Sequence, residues 1–74
     1  MSTVVPLIRI RVNGVEEQLA AATVSDVLEA RGLALEARGI AVALNGRVVT
    51  RIAWATTTLA DGDDVEIVRA MQGG

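Results

Sequence analysis

The chain contains no cysteine and no histidine. It therefore has no disulfide, no thiolate nucleophile, no redox pair, and no imidazole to serve as base or metal ligand. Tyrosine and phenylalanine are also missing, leaving Trp54 as the single aromatic residue. That removes the stacking platforms on which single-stranded nucleic acid is bound. Lysine is absent too: all seven basic residues are arginines, at positions 9, 11, 31, 38, 47, 51 and 69. The chain offers no lysine amine as a target for isopeptide conjugation to itself. Seven basic residues against nine acidic ones give a net charge of −2 and a sequence pI of about 4.9, the wrong electrostatic footprint for a DNA or RNA binder. No run approaches the length of uncharged apolar residues needed to span a membrane. Met1-Ser2-Thr3-Val4-Val5-Pro6 lacks the basic and apolar regions of a signal peptide, so the cytoplasm is the expected location.

What remains is 74 residues, 51% of them hydrophobic and 22% charged, a globular composition with room for one small domain. So short a chain has little interior. A cofactor-enclosing cavity is not expected, nor a self-contained enzyme. The expectation is a monomeric module that works with a partner, holding no metal and no cofactor of its own.

From Leu7 to Val12 the sequence alternates, with Ile8, Ile10 and Val12 on one face and Leu7, Arg9 and Arg11 on the other. This is the period of a half-buried strand. Asn13-Gly14 supplies a tight hairpin turn, and Val15–Leu19 returns as the antiparallel partner. Thr23-Val24-Ser25-Asp26 has the form of a capping box. Val24, Val27 and Leu28 then share a helical face, with Glu29 and Arg31 towards solvent, and Gly32 suits a left-handed stop. The segment from Leu33 to Gly39 reads as a connection anchored by Leu33 and Leu35. Ile40–Leu44 predicts a strand, Asn45-Gly46 a second tight turn, and Arg47–Val49 a short strand. Arg51–Thr58 has no clear period and reads as a helical turn or coil, with Trp54 as a packing plug. Asp61-Gly62-Asp63 supplies a turn before a last strand, Asp64–Arg69. The reading is α+β: β-β-α-β-β with one helix on one face of a mixed four- to five-stranded sheet, the terminal strand lying centrally. Residues 1–70 form the domain and 71–74 a flexible tail.

The tail, Met71-Gln72-Gly73-Gly74, ends in two glycines without Cβ atoms, which makes it thin. Such an end can enter a narrow channel in another protein and bring its carboxylate beside a bound nucleotide. A carboxylate can attack the α-phosphate of ATP to give an acyl-adenylate, which a sulfur or amine nucleophile then opens. The phosphate cradle and Mg²⁺ for that step must come from the partner. The competing reading is an ordinary frayed end.

Ala41-Val42-Ala43-Leu44-Asn45-Gly46, Trp54-Ala55, Leu59-Ala60-Asp61-Gly62-Asp63 and Val65 through Gly74 resemble the ThiS family of thiamine-pathway sulfur carriers. The resemblance covers the chain from Leu7 onward and implies the ubiquitin-like β-grasp fold; the residues before Leu7 lie outside the family pattern, and Val4-Val5-Pro6 is expected to lengthen the first strand. It further implies that Gly74 is adenylated by a ubiquitin-activating-type enzyme using ATP and Mg²⁺. A cysteine desulfurase or other persulfide donor then converts Gly74 to a thiocarboxylate, which supplies sulfur to thiazole synthase. The chain is thus a cosubstrate of enzymes and not itself one, with Met71, Gln72 and Gly73 entering the partner's active site.

Ala41, Ala43, Val68 and Ala70 are expected on the sheet face away from the helix, as an apolar docking surface for the adenylating enzyme. Arg9 and Arg11 are expected as a solvated part of that face, and Glu16-Glu17 has no partner acid at a spacing useful for general acid–base work. Three alternatives stay open: a carrier for molybdopterin or cysteine synthesis, a ubiquitin-like modifier conjugated through Gly74, and a β-grasp RNA-binding or regulatory module for which the glycines are incidental.

Overall fold

The first hairpin forms because alternation and turn chemistry agree. In a computed structural model, which describes residues 5–33 and 39–69, strand β1 (Leu7–Val12) pairs antiparallel with β2 (Val15–Ala20), Val12 opposite Val15 and Leu7 opposite Ala20. Asn13 and Gly14 close the turn at φ 51° and 83°, conformations that asparagine and glycine tolerate best. Ile8, Ile10 and Val12 are buried while Leu7 is 63% exposed. The strand begins at Leu7, so Val5 and Pro6 do not lengthen it. Proline has no N–H to give to a ladder, although its carbonyl accepts the Ala21 N–H at 3.0 Å.

Helix α1 (Val24–Ala30) is seven residues long. Its start is fixed by a reciprocal cap: the Asp26 N–H donates to Thr23 Oγ1 at 3.3 Å, and Asp26 Oδ2 accepts the Thr23 N–H at 3.1 Å. The same oxygen accepts the Ala22 N–H at 2.7 Å. At the other end Gly32 adopts φ 73°, the Gly32 N–H donates to Glu29 O at 2.9 Å, and the Leu33 N–H donates to Leu28 O at 2.8 Å. That bond pair is the Schellman closure, which satisfies carbonyls the helix leaves free. Two turns are too few for an isolated helix to persist in water, so α1 depends on burying Val24, Val27 and Leu28, all 0% exposed.

Strand β3 (Ile40–Leu44) and the short β4 (Arg47–Val49) form a second antiparallel hairpin around Asn45 and Gly46. The stretch without a clear period contains a 3-10 turn at Arg51–Ala53. Trp54 follows it, 5% exposed, and its indole N–H donates to Val49 O at 2.9 Å. A buried indole needs such a partner. Strand β5 (Asp64–Arg69) completes a five-stranded sheet in the order β2-β1-β5-β3-β4. β1 and β5 run parallel and the other pairs antiparallel, so the last strand occupies the centre. The sequence reading of four to five strands thus resolves to five, β-β-α-β-β-β. Val42, Val65 and the three buried residues of β1 meet the apolar stripe of α1 and Trp54 in one core. Among the described residues no helix is long and apolar enough to cross a membrane.

Candidate functional site

With one helix covering one side, the other side of the sheet stays open, and its composition follows from strand register. On β1, Arg9 and Arg11 point outward, and β2 sets Gln18 and Glu16 opposite them. On the other flank of β1, Arg11 aligns with Asp64 of β5. This half is exposed and mostly polar, with Leu7 of β1 on the same face as its one large exposed apolar side chain. The β3 half is different. Ala41 lies opposite Val68 of β5, and Ala43 lies between Glu66 of β5 and Val48 of β4. Val68 is 57% and Val48 77% exposed; Ala41 is exposed and Ala43 half-buried.

Ala41, Ala43, Val48 and Val68 therefore make a small, flat apolar area at the end of β5 from which residues 70–74 continue. Alanine side chains keep it flat, and the neighbouring valines supply most of its exposed apolar surface. Of the docking residues read from the sequence, three are brought together here. Ala70 lies outside the described residues, as do Met71, Gln72, Gly73 and Gly74. Val48 was missed, although it alternates outward in a strand too short to show a period by itself.

The acidic turn before β5 is built into the fold. Asp61 Oδ1 accepts the Arg9 N–H at 2.8 Å, and the Gly62 N–H donates to Arg9 O at 2.8 Å. Asp63 Oδ2 accepts the Ala60 N–H at 2.8 Å, and its Oδ1 accepts from Asn45 Nδ2 at 3.0 Å. Both carboxylates thus hold the β4–β5 connection against its neighbours, consistent with reading Asp61-Gly62-Asp63 as a turn. Glu17 forms an ion pair with Arg31 at the end of α1, a partly exposed pair of small energetic weight. Among the described residues no group of three or more acidic side chains gathers closely enough to hold a metal ion.

The sequence reading assigned Asn13 and Asn45 to turn geometry alone. Their side chains also reach β5: Asn45 Oδ1 accepts the Asp64 N–H at 2.9 Å, and Asn13 Oδ1 accepts the Ile67 N–H at 2.7 Å. The signal was the choice of asparagine over glycine at the first position of both turns.

One helix on a five-stranded mixed sheet, with the first and last strands parallel at its centre, defines the ubiquitin-like β-grasp class. The ThiS family model matches residues 10–74, and the chain belongs to that family. The chain is similar to the thiamine biosynthesis protein (ThiS) from Geobacter metallireducens as seen in a crystal structure. The two are 37% identical with a TM-score of 0.74, over 90% of this chain and 100% of that one. An NMR solution structure of a thiamine biosynthesis protein from the same organism gives 37% identity and a TM-score of 0.73, over 90% of this chain and 88% of that one. No match is found among curated proteins.

Proposed function

We propose that the chain is a protein-based sulfur carrier for thiazole formation in thiamine biosynthesis, with Gly74 as the residue that bears the sulfur. The observation that carries this reading is the family match, which spans residues 10–74 and so takes in Gly73 and Gly74. In the proposed cycle, a carboxylate oxygen of Gly74 attacks the α-phosphorus of ATP and pyrophosphate leaves. A persulfide sulfur then attacks the acyl carbon and AMP leaves. Reductive cleavage of the resulting acyl disulfide by a thiol frees the thiocarboxylate, whose sulfur passes to thiazole synthase. ATP and Mg²⁺ are bound by the ubiquitin-activating-type partner, and the persulfide comes from a cysteine desulfurase or another donor.

In this scheme the chain contributes recognition and a chemically quiet terminus, not catalysis. The apolar half of the open face is the proposed docking surface, since an exposed apolar area beside the end of β5 sits where a partner must approach to take in Met71 through Gly74. Without lysine or cysteine, the chain has no side-chain amine or thiol to intercept its own acyl-adenylate.

Intact mass measurement after incubation with the adenylating enzyme, ATP and a persulfide donor tests the proposal. The expected result is a mass gain equal to one oxygen exchanged for sulfur, absent when Gly74 is deleted. A folded protein that gains no sulfur from an active partner would refute the carrier reading. Stable amide adducts in place of the thiocarboxylate would favour a conjugating modifier.

A further inference from the structure

Asn13 and Asn45 both occupy positive φ, at 51° and 52°, a conformation glycine would adopt at lower cost. What glycine lacks is the carboxamide, and both carboxamides grip β5. Asn45 grips its start, accepting the Asp64 N–H at 2.9 Å while donating to Asp63 Oδ1 at 3.0 Å. Asn13 grips further along, accepting the Ile67 N–H at 2.7 Å and donating to Ile67 O at 3.2 Å. A carboxamide presents one acceptor and a neighbouring donor, as a peptide unit does. The Asn13 side chain therefore pairs with Ile67 as a strand residue would.

The backbone of β1 cannot do this. Its ladder with β5 covers Arg11 opposite Asp64 and Val12 opposite Val65. The ladder ends with the Asn13 N–H donating to Val65 O at 2.9 Å, after which the chain turns back through Gly14. On its other side β5 continues to pair with β3, Ile67 opposite Val42, Val68 opposite Ala41 and Arg69 opposite Ile40. Among the described residues, the Asn13 carboxamide is the one hydrogen-bonding group that holds the β1 side of β5 beyond Val65.

We infer that Asn13 is a positioning residue, whose side-chain amide fixes the course of β5 at Ile67 and so the direction in which Val68 and Arg69 deliver residues 70–74 to the activating partner. The inference rests on the carrier reading above. Both bonds are exposed, so without the amide this flank of β5 is left to water. β5 is then held here by its ladder to β3 alone, and the partner must fix its freed β1-side flank as it binds. That cost falls on association and not on the chemical step, so it appears in KM and not in kcat.

Two matched variants test it. Asn13→Gly keeps the turn's positive φ and removes only the carboxamide; Asn45→Gly does the same at the start of β5, away from the tail. Hydrogen exchange of the Ile67 amide is expected to quicken about tenfold in Asn13→Gly and to stay unchanged in Asn45→Gly, one hydrogen bond being lost at that amide in the first alone. The KM of the adenylating enzyme for the carrier is expected to rise about tenfold in Asn13→Gly, with kcat held within about twofold, while Asn45→Gly changes both by less than about twofold. Equal KM values in the two variants, or unaltered exchange at Ile67, would overturn the inference. Should Asn13→Gly fail to fold, Asn13→Asp is read by KM alone, since its carboxylate still accepts the Ile67 N–H but cannot donate to the Ile67 carbonyl. A KM equal to that of the wild type would then overturn the inference. If the wild-type chain is not adenylated at all, the carrier reading falls and the positioning role with it, even where exchange at Ile67 responds as expected.

Discussion

Single polar residues do most of the local specification in this chain, because so few are available. Asp26 is the clearest case: its Oδ2 accepts two backbone N–H groups, from Ala22 and Thr23, while its own N–H is capped by Thr23 Oγ1. Asp26→Ala would leave those two donors without their partner at the entry to α1. The expected cost is about 1–2 kcal/mol, read as a lowered urea midpoint with an unchanged slope. Glu29→Ala, on the exposed face of the same helix, should stay within about 0.5 kcal/mol. Equal losses from the two substitutions would mean that the cap contributes nothing specific. The cap was legible in the sequence because a Thr-x-x-Asp pattern before an apolar pair has one local geometry. The carboxamide grips of Asn13 and Asn45 were not, since their partners, Ile67 and Asp64, lie 54 and 19 residues away.

Secondary-structure elements here are short, and none is stable by propensity alone. α1 has seven residues and is held by three side chains that are completely buried, Val24, Val27 and Leu28. Leu28→Ala opens a cavity between the helix and the sheet and is expected to cost about 2–5 kcal/mol. A domain of this length has about 4–11 kcal/mol in total, so the variant should melt at a markedly lower temperature by far-ultraviolet circular dichroism. A melting point unchanged from wild type would contradict the packing described here. Strand β1 announced itself by strict alternation, whereas β4, with three residues, is too short for a period to be read. Its place comes from the Asn45-Gly46 turn that folds it back onto β3. The 3-10 turn at Arg51–Ala53 has no sequence period either. It is followed by Trp54, whose burial and bond to Val49 O tie the segment to the core.

At the scale of the molecule, the division of the open face into a polar and an apolar half follows from the sheet order. β5 lies between β1 and β3, so arginines and acids gather on one flank and small apolar residues on the other. Ala41→Glu is a cleaner test of the proposed docking surface than a change at Ala43. Ala41 is exposed opposite Val68, whereas a glutamate at 43 would face Glu66 directly, a like-charge pair that destabilises the sheet by itself. Ala41→Glu is expected to weaken binding to the adenylating partner by about tenfold or more, through the burial of an unpaired charge, with the melting temperature little changed. Titration calorimetry on the purified pair reads this directly; affinity equal to wild type would remove this face from the interface.

The sequence by itself determined the helix and the longer strands, the two Asn-Gly turns, the helix cap and stop, and the inward residues of β1. Each of these depends on residues within a few positions of one another, where backbone sterics and side-chain period leave few choices. It also carried the family resemblance, through its Leu-Asn-Gly, Asp-Gly-Asp and Gly-Gly segments. Only the tertiary structure decided that Val48 joins Ala41, Ala43 and Val68 on one surface, that Asp61 and Asp63 secure the turn before β5, and that Asn13 holds Ile67. Those contacts depend on which strands become neighbours and in what register. That is settled by the burial of a common core shared by α1 and all the central strands, not by any local stretch of chain.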